Sequence, residues 1–215
     1  MIGATGLVGS LAGPKLLAKG WSVDALVRRA SGFTHPRWRE HVAPAEEWPG
    51  IVASLDADAA VSALGTTMRQ AGSRAAFRTV DHDRVVDFAR AAAMAGARQM
   101  IAVSSVGADP RSANFYLRTK GEMETVLQTL GFERLDILRP GLLRGPRGGD
   151  RRPGERVAVA LSPLVNLVLR GRLARYAAID AATVAAAIAA ALDQPGVGVL
   201  IHENREIRRL AAASI

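Results

Sequence analysis

The sequence predicts an α/β fold built on a doubly wound parallel sheet. Short apolar runs alternate with stretches of helical periodicity along the chain, the pattern of strands joined by crossover helices. A glycine-rich turn opens the chain where a first strand would pass into a first helix. Glycines suited to helix ends follow the periodic stretches, at Gly20, Gly96 and Gly131.

Taken in order, "GLVGSLAGPKLLAKG" reads as a helix closed by Gly20, and "WSVDALVRR" as a strand. "DADAAVSALGTT" is the fourth strand and ends in small residues. "DRVVDFARAAAMAG" sets Val85, Val86, Phe88, Ala89, Ala92 and Ala93 at helical spacing. "RQMIAVSS" is a buried strand, "NFYLRTKGEMETVLQTLG" a helix, and "ERLDILRP" a strand halted by Pro140. "RGPRGGDRRPGER" reads as a loop, followed by a short helical stretch and a helix near residues 180 to 192. "VGVLIHE" is a last strand, with a small terminal helix after it. No repeat or linker divides the chain, so residues 1–215 are expected to form one domain, with about 144–180 as a substrate-side segment. The first strand is truncated: only Met1 and Ile2 precede Gly3, against about five or six residues for an ordinary strand. The expectation is that the natural chain begins a few apolar residues earlier.

Composition narrows the function. The chain is 49% hydrophobic and 22% charged, as soluble globular proteins are. Without cysteine it has neither disulfides nor thiolate metal sites, and its four scattered histidines show no ligand spacing, so no metal is expected. The net charge of +8 comes without long basic runs and with only 5% aromatic residues, so no nucleic-acid partner is expected. "RVAVALSPLVNLVL" is short and interrupted by Ser162, Pro163 and Asn166, and "YAAIDAATVAAAIAAAL" carries Asp180, so neither reads as a membrane span. With no leader ahead of the glycine motif, a cytoplasmic location is expected by default. The oligomeric state stays open.

"GATGLVG" places glycines at 3, 6 and 9. Gly3 permits a tight turn, Gly6 lets the backbone approach a pyrophosphate, and Gly9 allows close packing of helix on sheet. The helix start and its dipole then favour an anion. At the end of the next strand an NAD-preferring site would carry Asp or Glu, whereas this chain has Arg28 and Arg29. A guanidinium pair suits a 2′-phosphate, which favours NADPH; the alternative is two surface arginines in an arginine-rich chain. "ALGTT" leaves almost no side-chain bulk where a backbone would run beside a dinucleotide.

Of 28 basic side chains only Lys15, Lys19 and Lys120 are lysine. Lys120 follows Tyr116 by one helical turn, so the two share a face. There a compact ammonium can hydrogen-bond ribose hydroxyls, and its charge favours the ionised form of a neighbouring phenol. Ser104 and Ser105 end the preceding strand, at the carboxyl edge of the sheet where ligands bind in open α/β folds.

"GATGLVG", "LGTT", "VSSVGAD", "YLRTK" and "LRPGLL", in this order, resemble an atypical short-chain dehydrogenase/reductase. More narrowly, the chain is similar to the family of the human Tat-interacting oxidoreductase-like protein and its small bacterial relatives, from Gly3 to about Leu192. The resemblance implies a Rossmann-like sheet, bound NADP(H) and a Ser-Tyr-Lys catalytic set of Ser105, Tyr116 and Lys120. It implies cofactor contacts from Thr5, Gly6, Leu7 and Val8, then Arg28 and Arg29, Leu64 and Gly65, Tyr116 and Lys120, and finally Leu143 and Arg152. Asp81 stands where many members carry an asparagine that helps to hold a water relay.

The expected activity is hydride transfer to or from a small carbonyl or alcohol substrate. The expected pocket lies over the loop 144 to 156 and the segments after it. Arg144, Arg147, Arg151 and Arg156 are either an anion-attracting rim or solvated loop charges, and Leu161, Leu164, Val165 and Leu169 either core or pocket wall. The rival from another class is a non-catalytic NADPH-binding redox-sensing regulator. A nucleotide-sugar epimerase ranks lower, because those enzymes usually carry a larger C-terminal substrate domain.

Overall fold

A computed structural model describes residues 1–145 and 175–213. The expected arginine-rich loop beyond residue 145 and the helical stretch after it, with Arg152, lie outside the described residues.

The chain builds a parallel sheet whose central strands are buried on both faces. After α1 (Gly9–Ala18) come β1 (Val23–Val27), β2 (Trp38–Val42), α2 (Trp48–Val52) and β3 (Ala59–Ser62). Two short helices, α3 (Met68–Ala71) and α4 (Arg74–Arg78), lead through a π-helical turn, Thr79–Asp83, into α5 (Arg84–Met94). Then follow β4 (Gln99–Val103), α6 (Phe115–Leu127), β5 (Arg134–Arg139), the two-residue strands β6 (Leu143–Arg144) and β7 (Ile179–Asp180), α7 (Ala181–Leu192), β8 (Gly198–Glu203) and α8 (Asn204–Ala212).

β1 pairs with β2, and β3, β4, β5 and β8 pair in that order, all in parallel. What joins the two groups is Ile2, which bridges Leu26 on one side and Ser62 on the other. Ile2 N–H donates to the Val61 carbonyl at 2.9 Å, Ala63 N–H to the Ile2 carbonyl at 3.0 Å, and Leu26 N–H to the Met1 carbonyl at 2.9 Å. The first strand is thus two residues long, as its sequence implied, and it still occupies the centre of the sheet. The order β2–β1–first strand–β3–β4–β5–β8 reverses direction between the first strand and β3, the switch point where open α/β sheets bind ligands.

Alternate residues of each strand face opposite layers. Ala25, Val27, Val61, Ile101 and Leu138 pack with α1 and α7, through Leu16, Leu17, Val184 and Ile188. Leu26, Ala60, Met100, Ala102, Leu135 and Ile137 pack with α2, α5 and α6, through Trp48, Val86, Phe88, Met123 and Leu127. Burial on both faces is why these strands read as continuous apolar runs. The alanine-rich α7 is a core helix of the first layer, with nine of its twelve residues buried. No helix among the described residues is long and apolar enough to cross a membrane.

At the far end of the sheet from the glycine turn a buried polar cluster ties three strands together. Arg134 donates to both oxygens of Asp136, at 2.7 and 2.9 Å, while His202 and Gln99 also approach that carboxylate. Burial pushes the Asp136 carboxyl up, but these hydrogen bonds and the Arg134 charge outweigh it and hold it below its ordinary range.

Candidate functional site

Ile2 passes directly into Gly3, whose φ of 76° is open to glycine at little cost. Gly6 N–H closes the turn onto the Gly3 carbonyl at 3.0 Å. A Cβ on Gly9 would stand 2.1 Å from the Gly3 oxygen, so the first helix starts in backbone contact with the turn. Gly3 and Gly9 therefore shape the cradle through the main chain, and Thr5, Gly6, Leu7 and Val8 form its surface. α1 carries no side-chain cap and no acidic residue in its first turn. Its N-terminal dipole end is left to a ligand, and an anion fits it.

Two cavities meet at this turn, sharing Thr5 and Ser10. The larger, about 820 Å³, lies over the carboxyl ends of the first strand, β3, β4 and β5. Leu64, Gly65, Ser105, Tyr116, Lys120 and Leu143 all line it, together with the cradle residues. The smaller, about 570 Å³, lies past the end of β1 and takes in Arg28 and Arg29, both exposed, with Phe33 and Trp38. The two aromatic rings stand edge to face, 5.1 Å apart between centroids. Next to this cavity, Glu40 accepts from Ser31 N–H at 3.0 Å, from the Ser31 hydroxyl and from Trp38 Nε1 at 3.1 Å, and both of those residues line it. Partial burial pushes the Glu40 carboxyl up, and these donors more than offset it, so it stays ionised and engaged.

Tyr116 sits in the first turn of α6, a helix capped by Asn114, whose Oδ1 accepts from Leu117 N–H at 3.2 Å. Its ring packs against the fully buried Phe77 of α4, with centroids 5.4 Å apart. Gly121, which no sequence signal had singled out, sets the height of this helix. A Cβ there would lie 2.3 Å from both Asp109 C and Pro110 N, so α6 rests on the loop that follows Ser104 and Ser105. Ser104 is buried and its hydroxyl has no hydrogen-bond partner among the described residues. The half-buried Ser105 directs a long 3.5 Å hydrogen bond to the Val106 carbonyl.

Lys120 is buried one turn beyond Tyr116, and its ammonium lies 2.8 Å from Asp81 Oδ1, with the two side chains 4% and 1% exposed. Nothing local in the sequence sets Asp81 beside Lys120, 39 residues further on. The π-helical turn brings it there, since an extra residue in the turn rotates the side chains that follow it.

A reversing parallel sheet with an uncapped helix behind a glycine turn, and a long cleft across the switch point, defines a dinucleotide-binding α/β protein. The chain belongs to the NAD(P)H-binding family, which matches it over residues 3–195. Among curated relatives, the mitochondrial protein fmp52 of Emericella nidulans is 38% identical over 167 residues, covering 74% of this chain and 71% of the relative. The mitochondrial FMP52 of Meyerozyma guilliermondii is 35% identical over 199 residues, covering 90% and 84%. These relatives carry the name fmp52 and not that of the narrower family suggested by the motifs. Their naming as mitochondrial proteins overturns the cytoplasmic expectation. That expectation rested only on finding no leader, and an absence of that kind locates nothing.

Among solved structures, the Bordetella bronchiseptica enzyme WbmH in complex with NAD+ aligns with a TM-score of 0.69 at 17% identity, covering 99% of this chain and 78% of that one. The Thermus thermophilus UDP-glucose 4-epimerase complex with NAD aligns with a TM-score of 0.68 at 20% identity, covering 99% and 82%. At such identities the likeness is one of fold alone, a Rossmann-like parallel α/β sheet.

Proposed function

We propose that the chain is an NADP(H)-dependent oxidoreductase of the atypical short-chain dehydrogenase/reductase type, acting on a small carbonyl or alcohol. The observation that carries this reading is the shared cavity: Tyr116, Lys120 and Ser105 line the same space as the Gly6–Val8 turn. The preference for the 2′-phosphorylated cofactor rests on Arg28 and Arg29 at the mouth of the adjoining cavity. It rests also on Glu40, whose oxygens are already taken by Ser31 and Trp38.

The dinucleotide, when bound, supplies or accepts the hydride. Tyr116 donates a proton to the substrate oxygen in reduction and takes it back in oxidation. The Ser105 hydroxyl donates to the same oxygen, after leaving its long contact with the Val106 carbonyl. Lys120 donates to ribose hydroxyls, and the N-terminus of α1 with the Gly6 backbone receives the pyrophosphate. The mitochondrial naming of the relatives supports a mitochondrial setting for this activity.

The test is Tyr116→Phe, assayed by NADPH fluorescence titration and by cofactor consumption across a panel of carbonyl compounds. NADPH affinity within about twofold of the unsubstituted chain, with turnover lost by about 100-fold or more, is expected. Unchanged turnover would reject the role of Tyr116. Binding without consumption by the unsubstituted chain would favour a redox-sensing regulator.

A further inference from the structure

We infer that Asp81 is a positioning residue of this site, holding the Lys120 ammonium and the strand-end loop at Gly65–Thr66 in one fixed arrangement. The inference rests on the cofactor reading above. Both oxygens of Asp81 are committed. Oδ1 faces Lys120 Nζ at 2.8 Å, and Oδ2 accepts from Thr66 N–H at 2.8 Å. The loop lies tight over the pair: a Cβ on Gly65 would come within 3.3 Å of Asp81 Oδ1 and 3.8 Å of Lys120 Nζ. All these groups border the larger cavity, so the carboxylate ties α6 to the loop that follows β3.

The arrangement in this chain uses both oxygens of a carboxylate. In the same pose an asparagine would meet one of the two donors with its own NH2 group, losing the contact to the ammonium or to the Thr66 N–H. The pair is also too buried to be a solvated surface contact, and removing one partner strands the other charge out of water. The π-helical turn is the backbone device that delivers Asp81 into the gap between α6 and the loop.

The experiment is a double-mutant cycle on NADPH affinity, using Asp81→Asn, Lys120→Met and the combined variant, with thermal melting of each. Asp81→Asn is expected to weaken NADPH about tenfold in the native background and about threefold in the Lys120→Met background, where only its hold on the Thr66 loop is left to lose. Equal weakening in both backgrounds, or none in the native one, overturns the positioning role. If Asp81→Asn does not fold, Asp81→Glu replaces it: its longer stem keeps the charge but displaces one of the two contacts. Native affinity in Asp81→Glu likewise overturns the inference. If the unsubstituted chain does not bind NADPH, the cofactor reading itself falls and takes this role with it; binding by that chain with an inert Asp81→Asn removes this role alone.

Discussion

Glu124 lies on α6 with its side chain 2% exposed, against Arg139 at the end of β5. Arg139 Nε donates to the two carboxylate oxygens at 3.0 and 3.1 Å, and Nη2 donates to one of them as well. Glu124→Gln keeps the shape of the side chain and removes its charge. The guanidinium then loses its counter-ion, and an amide NH2 is turned toward a donor. Breaking a fully buried pair from one side costs about 3–5 kcal/mol, and an exposed pair about 0–1 kcal/mol. With the Arg139 side chain 21% exposed, the expected loss is about 2–3 kcal/mol. For a domain of this size that lowers the melting temperature by roughly 4–12 °C. Urea unfolding of the native and Glu124→Gln chains at pH 7, in low salt and in about 1 M salt, measures the effect. The gap should persist in high salt, because a buried pair is screened little. A variant as stable as the native chain, or a gap that vanishes in salt, would refute the reasoning.

Replacing Arg28 and Arg29 together by alanine should weaken NADPH by about thirtyfold, or about 2 kcal/mol, with NADH affinity changed by less than about threefold in calorimetric titration. Gly9→Ala forces a Cβ against the Gly3 carbonyl and should cost about 3 kcal/mol, lowering the melting temperature by roughly 6–12 °C. Asp136→Asn leaves Arg134 buried without its carboxylate and should destabilise by about 3 kcal/mol at pH 7. Because the Asp136 carboxyl is held below its ordinary range, its contribution is present above about pH 4 and is lost as pH falls through the folded value. The difference between the native and Asp136→Asn chains should therefore shrink in acid unfolding.

The parts of the fold legible in the sequence are those whose signal is local. Burial on both sheet faces writes apolar runs such as "QMIAV" and "RLDILR", and left-handed glycines end the helices at Gly20, Gly96 and Gly131. β2 went unread because it is a half-exposed strand, "WREHV", with no apolar run. Its register comes from β1, and its place from Trp38 packing where Gly13 leaves room. The helix expected from residue 83 in fact begins with the Ser73 cap and runs through α4 and the π-helical turn, whose "TVDHD" is too polar to show a stripe. In the site, the glycine spacing and the one-turn separation of Tyr116 and Lys120 are visible because they are short-range. The Lys120–Asp81 pair and the seat of Gly121 join segments far apart in the chain, and only the tertiary fold brings them together.

The seat of Gly121 also bears on how much change the site tolerates. Where two elements meet through side chains, each exchange of a core residue shifts them by the difference in size. α6 instead meets the loop after Ser105 main chain to main chain, a contact whose thickness no substitution elsewhere can alter. The height of the tyrosine above the sheet is thereby indexed to a fixed stop. Leu127, Met123 and their neighbours can drift in size over generations while the spacing between Tyr116 and the serines holds.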